Sequence, residues 1–159
     1  MTRKIMQFMA FAVVVTLIAS CNNGSVFGKY QPIPETGWHK DSLVVFEIPV
    51  TDTLHNHNLL ISVRNEVDYN YSNIWLFIEI VQPKGKVMKD TFEISLAGPS
   101  GKWLGEGFGS LRTRQVMYRR NVKFPVSGIY TVKIHQGMRE EILKGISDVG
   151  ISLEKTGSE

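Results

Sequence analysis

From Leu43 onward, apolar side chains recur at every second position in a succession of short stretches, and this period leaves few folds open. Successive Cβ atoms on an extended backbone point to opposite faces, so a period of two belongs to strands that bury one face. Val44, Phe46, Ile48 and Val50 share one side, with Val45 and Glu47 on the other. Leu59, Ile61 and Val63 alternate with Leu60, Ser62 and Arg64, and Phe92, Ile94 and Leu96 alternate with Thr91, Glu93 and Ser95. The pattern continues through Val116, Tyr118, Arg120, Val122 and Phe124, then Tyr130, Val132 and Ile134, and closes with Val149, Ile151 and Leu153. Residues 74–81 (IWLFIEIV) are apolar on both sides except at Glu79, which predicts a central strand covered on both faces and puts Trp75 in the core.

Turn-forming residues separate these runs: TDTLHNHN at 51–58, NEVDYNYSN at 65–73, PKGK at 83–86, GPSGKWLGEGFG at 98–109 and PVSG at 125–128. Met138 to Lys144 has the one helical pattern, a turn or two ended by Gly145. Seven or eight short strands with frequent turns and one short helical turn near the C-terminus predict an all-β, antiparallel β-sandwich. The scarcity of helix argues against a parallel α/β sheet, and no internal repeat suggests a propeller or solenoid.

The N-terminus follows different rules. Arg3 and Lys4 precede an apolar run from Ile5 to Ile18, the layout of a secretory signal peptide and too short for a spanning helix. Its boundary, Ile18-Ala19-Ser20-Cys21, resembles the lipobox of bacterial lipoproteins, in which the chain is cut before the cysteine, whose sulfur receives a diacylglycerol and whose freed amine is acylated. Two or more acyl chains anchor stably where one is marginal. The expected organisation is a signal peptide at 1–20, a lipidated tether and extended lead-in at 21–37, a sandwich domain at 38–155 and a polar tail at 156–159. Removing Arg3 and Lys4 lowers the formal charge from +3 to 18 − 2 − 15 = +1, which disfavours a nucleic-acid partner. Cys21 is the single cysteine, so once lipidated it leaves no thiol for a disulfide, a metal site or catalysis.

No catalytic constellation emerges. His55 and His57 lie in a turn-rich loop beside Asp52 without further ligands nearby, and Asp68 with Asn65, Asn70 and Asn73 lacks the spacing of a calcium loop. Gly105-Glu106-Gly107-Phe108-Gly109 is not followed by a helix or by the Lys-Ser/Thr pair of a phosphate-binding loop. There is no nucleophile elbow, and no serine is tied to His39 or His135. Neither a metal nor a cofactor is expected. Candidate binding residues are Trp38, Trp103, Phe108 and a basic cluster of Arg112, Arg114, Arg119 and Arg120 with Tyr118 interleaved. They suit an anionic glycan, a lipid headgroup or an acidic partner; alternatively, the arginines guard an edge strand against aggregation.

The chain resembles the gliding motility lipoprotein GldH family of Bacteroidota. The resemblance rests on the lipobox, on Gly37-Trp38-His39-Lys40-Asp41, Thr51-Asp52-Thr53 and residues 65–73, and on the tryptophan-glycine segment 101–109. It continues in Phe124-Pro125, Ser127-Gly128-Ile129-Tyr130, Gln136-Gly137-Met138-Arg139 and residues 145–150. It implies a lipid-anchored accessory of the gliding machinery, coupled in this phylum to type IX secretion, with envelope proteins as partners and no enzymatic activity. Surface-directed lipoproteins of the phylum resemble one another in having acidic residues after the cysteine, which Asn22-Asn23-Gly24-Ser25 lacks, so a periplasm-facing outer-membrane anchor is expected. A glycan-binding sandwich using Trp38 or Trp103 is the alternative.

Overall fold

The computed structural model describes residues 25–156. The signal peptide, lipobox and Cys21 fall outside the described residues. Ten strands follow in order: β1 (Ser25–Pro32), β2 (Trp38–His39), β3 (Val44–Val50), β4 (His57–Glu66), β5 (Asn73–Val81), β6 (Val87–Ser95), β7 (Leu111–Val122), β8 (Gly128–Gln136), β9 (Ile142–Leu143) and β10 (Ile146–Lys155). All pair antiparallel, in two four-stranded sheets of order β1-β10-β4-β7 and β3-β8-β5-β6 and a two-stranded ribbon of β2 and β9. The two sheets form the predicted sandwich.

Alternation decides what enters the core. β3 buries Val44, Phe46, Ile48 and Val50 and exposes the residues between them. Ile61 and Val63 from β4, Leu76 and Ile78 from β5, Val132 and Ile134 from β8, and Val149, Ile151 and Leu153 from β10 complete the shared core.

β4 lies inside the first sheet and is covered on both sides, including at Ser62. Polar side chains roof its outer face. Gln115 donates to Ser152 Oγ at 3.2 Å, joining β7 to β10 across β4. Arg64 donates to Thr113 Oγ1 and Asp148 Oδ2, both at 3.2 Å, and sits over the Tyr30 ring with its guanidinium carbon 5.2 Å from the centroid. One side chain of β4 thus contacts each of the other three strands of the sheet. Tyr30 lies across Gly150, where a Cβ would fall 2.6 Å from the ring. That close approach is why the strand carries glycine there.

Three expectations change. β5 is an inner strand but buries only one face: Ile74, Leu76 and Ile78 point in, while Trp75 and Phe77 are 39% and 42% exposed. Among the described residues its second apolar face has no layer over it. Met138 to Lys144 forms no helix, and Ile142–Leu143 is instead β9, paired with Trp38–His39. So short a segment cannot repay helix nucleation alone, and the Gln136 amide satisfies its backbone by accepting from Met138 N at 2.7 Å and donating to Glu140 O at 2.8 Å. Finally, Ser25–Pro32, read from composition as tether and lead-in, pairs with β10 along its length. As an edge strand with few buried side chains, it carries little alternation to read.

The register gives the sandwich two poles. Ser25 faces Glu154, which faces Asn58, and His57 faces Val122 at the same end. At the other end Pro32 faces Asp148, Asp148 faces Arg64, and Arg64 faces Thr113. With 8 residues in β1, the poles are about 25 Å apart. Ser25 marks the near pole. The loops 33–43, 66–72, 96–110 and 137–145 form the far pole.

Candidate docking surface

The candidate residues do not converge on one platform. Trp38 is only 1% exposed, with its indole N–H donating to Ser42 O at 3.0 Å. It is part of the core and offers no ring face to a sugar. Trp103 is half-buried against the core, held by a bridge to Ala97. Tyr118 is buried edge-on to Phe92, its hydroxyl donating to Asp90 Oδ2 at 3.2 Å. Burial raises this phenol above its ordinary pKa.

The arginines are likewise scattered along β7, an edge strand of its sheet. Arg112 donates to the carbonyls of Gly109 and Leu111 at 2.8 and 2.7 Å. Arg114 is half-buried, and its Nε has no partner among the described residues. Arg119 donates to Asp90 Oδ2 at 2.6 Å and covers the Tyr118 ring. Arg120 alone stands exposed without an ion pair among the described residues. Arg120 and Tyr118 were expected to share a face, but shifts in the β4–β7 register near Leu59 and a positive φ of 52° at Asn121 turn this end of the strand away.

The glycine-dense loop is well built. Glu106 and Thr113 exchange backbone hydrogen bonds at 3.0 and 2.7 Å, so the loop runs back along the start of β7. Gly105 and Gly107 allow that approach: a Cβ on Gly105 would lie 2.9 Å from the Thr113 carbonyl, and one on Gly107 would run into the Leu111 oxygen. The loop is braced by Arg112, and at its tip Phe108 is 98% exposed. Leu104 in the same loop is exposed as well. Around this end lie exposed Val67 and Ile142, and a cleft of about 630 Å³ lined by Glu35, Glu66, Asp68, Lys144 and others.

The far pole therefore presents an aromatic knob on a hydrogen-bonded loop beside an open polar cleft. Sequence reasoning included Phe108 but had no signal for the exposed pair Trp75 and Phe77. Phe77 lies against His135, with ring centroids 5.2 Å apart, and across Gly137.

His55 and His57 separate: His57 starts β4, buried edge-on to Phe124 with centroids 5.5 Å apart, while His55 stays exposed and 2.7 Å from Asp52 Oδ2. Asp52 organises this loop by accepting from the backbone N–H groups of Leu54 and His55 at 3.0 and 3.1 Å, and Lys155 comes within 3.2 Å. The His55 backbone N–H is the largest influence holding its carboxyl well below the usual range. A depressed carboxylate contributes stability in full above its unfolded pKa of about 4 and loses that contribution as pH falls toward the folded value. Urea midpoints measured from neutral pH downward should accordingly fall more steeply below about pH 4 for the parent than for Asp52→Asn.

The calcium-like oxygens also disperse. Asn65 is buried and donates to Glu66 O, Asn73 donates to Glu93 Oε1, and Asp68 and Asn70 line the cleft. Among the described residues no three His, Cys, Asp or Glu side chains gather as a metal-ligand set. His39 stands 3.8 Å from Asp41 and 3.6 Å from Glu141, and among the described residues no serine or threonine hydroxyl is hydrogen-bonded to it.

The GldH lipoprotein family model matches residues 25–153, from β1 almost to the end of β10. The chain belongs to the GldH lipoprotein family. It is 42% identical over 161 aligned positions to a gliding motility lipoprotein GldH homolog of Christiangramia forsetii, covering 97% of this chain and 98% of the relative. It is 36% identical over 146 positions to the gliding motility lipoprotein GldH of Flavobacterium johnsoniae, covering 87% and 90%. Among solved structures, a tobacco streak virus coat protein aligns with 88% of this chain and 91% of its own at 11% identity and a TM-score of 0.27, a likeness that carries no argument.

Proposed function

We propose that this GldH-family protein is a lipid-anchored, non-catalytic accessory of the gliding motility and type IX secretion machinery that acts by docking on another envelope protein. Residues 1–20 serve as the signal peptide, Cys21 carries the lipid, and residues 21–24 link it to β1. The relatives' names support motility, and Ile18-Ala19-Ser20-Cys21 supports the anchor. The tether, without acidic residues, favours a periplasm-facing position in the outer membrane.

The observation that carries the docking reading is Phe108, 98% exposed on a braced loop at the pole remote from the tether. An apolar ring held in water gains by burial in a partner, and a braced loop loses little conformational freedom when it binds. A sugar platform would need an exposed flat aromatic beside convergent polar groups, whereas Trp38 is buried and the arginines diverge.

Crosslinking intact envelopes and recovering the lipidated protein should bring down a gliding or secretion component. In parallel, Cys21→Ala should leave the thermal unfolding of the domain unchanged but shift the protein from the membrane pellet to the soluble fraction after a high-salt wash. Recovery of no such component, in a strain whose deletion secretes and moves normally, would overturn the reading. So would full function from the soluble Cys21→Ala form.

A further inference from the structure

We infer that the near pole of the sandwich is a membrane-facing surface that binds anionic phospholipid headgroups. The inference rests on the reading that Cys21 carries the anchor, because Ser25, the first described residue of β1, lies at this pole only four positions after Cys21.

Three acidic residues toward this end already hold cations: Asp52 pairs with Lys155 at 3.2 Å, Asp90 with Arg119 at 2.6 Å, and Glu79 with Lys133 and Lys89 at 3.0 and 3.3 Å. Lys84, Lys86, Arg120 and Lys123 are exposed and form no ion pair among the described residues. Against these four cations stand Glu154, at the same end, and Glu47, which lies level with Val81 on the other side of β8; neither has a cation partner among the described residues, so the surface keeps an excess of positive charge.

These positions belong together in the fold. Lys84 and Lys86 flank the tip of the β5–β6 hairpin, where Gln82 N donates to Lys86 O at 2.8 Å, and Pro83 of that hairpin packs directly on Gly128 after the β7–β8 turn. Lys123 begins that turn, and Arg120 precedes it on β7.

Between hairpin and turn opens an apolar groove of about 290 Å³, lined by Ile48, Leu59, Ile80, Met88, Val122 and Phe124, with Lys123 at its border. Exposed Val87 and Met88 extend the apolar surface outward. Cations around an apolar opening match the chemistry of a phospholipid, whose anionic headgroup sits above acyl chain. The tether holds this face within a few residues' length of the bilayer, so even weak headgroup contacts act at high local concentration. The consequence is orientation: with the near pole on the membrane, Phe108 projects outward.

The test is flotation of the unlipidated mature chain, Cys21→Ala, with vesicles of phosphatidylcholine alone or mixed with phosphatidylglycerol. Cys21 precedes the first described strand, which begins at Ser25, and circular dichroism of the variant checks that the domain is folded. Binding is expected to the phosphatidylglycerol vesicles only, and high salt should abolish it. Lys84→Gln, Lys86→Gln, Arg120→Gln and Lys123→Gln should each weaken partition about fivefold. The same neutralisation at far-pole Lys40, Lys102 and Arg139 should leave it unchanged. Equal binding to neutral vesicles, or undiminished binding by the fourfold near-pole variant, would overturn the inference. Because the assay contains no acyl anchor, a failure of the anchoring reading shows up separately, in the mass of the native N-terminal peptide.

Discussion

Trp38→Ala should destabilise the domain by about 3–5 kcal/mol, while Trp75→Ala should change stability by about 1 kcal/mol or less. The indole of Trp38 is buried to 1% exposure beneath the β2–β9 ribbon, opposite Leu143, which is also fully buried. Truncation leaves a cavity that the surrounding strands cannot close, because Lys40 N to Glu141 O at 2.9 Å and the Trp38–Leu143 pairing fix the ribbon in place. It also removes the indole donor to Ser42 O, leaving that carbonyl to find another partner. Domains of this size are held together by roughly 5–15 kcal/mol, so the loss is a large share of the total. Trp75 is 39% exposed on the outer face of β5, and its removal opens no cavity. Urea denaturation followed by circular dichroism separates the two. Equal losses for both tryptophans would overturn this account of the core.

That contrast shows what the sequence made legible. Period-two alternation identified β3, β6, β8 and β10 and the inward side of each, because one buried face leaves a direct record in the residue pattern. It misassigned Trp75 because an apolar face can be exposed as readily as covered, and nothing in residues 74–81 records whether a second layer exists. It missed the burial of Trp38 because two residues are too few to show a period, and the ribbon forms only when Ile142–Leu143 arrives from far along the chain. The apparent helix at Met138 to Lys144 failed for a related reason: the Gln136 side chain that satisfies its backbone looks like any other polar residue in sequence. Phe108 could be picked out from its glycine neighbours, but its pole could not. Placement depends on strand order, which crosses from β1 to β10 and from β3 to β8.

The pole matters because it converts one exposed ring into a prediction about binding. Phe108→Ala should leave the unfolding midpoint unchanged, since a side chain 98% exposed contributes almost no burial to the fold. It should also lower partner recovery from crosslinked envelopes and raise the dissociation constant about 30-fold or more, the loss seen when an aromatic anchor is removed from an interface centre. Phe108→Tyr, which keeps the ring, should restore most of the recovery. Gly107→Val tests the mounting instead of the ring. Its Cβ would run into the Leu111 carbonyl oxygen, so the Glu106–Thr113 hydrogen bonds must break or the loop must shift, with Phe108 still present. If docking depends on a preorganised knob, Gly107→Val loses binding nearly as far as Phe108→Ala although no contact residue has changed. If the ring acts only as an adaptable apolar contact, Gly107→Val retains binding and Phe108→Ala alone is defective. Undiminished recovery in both variants, each with normal membrane attachment, would move the docking surface away from this loop and toward the uncovered face of Trp75 and Phe77.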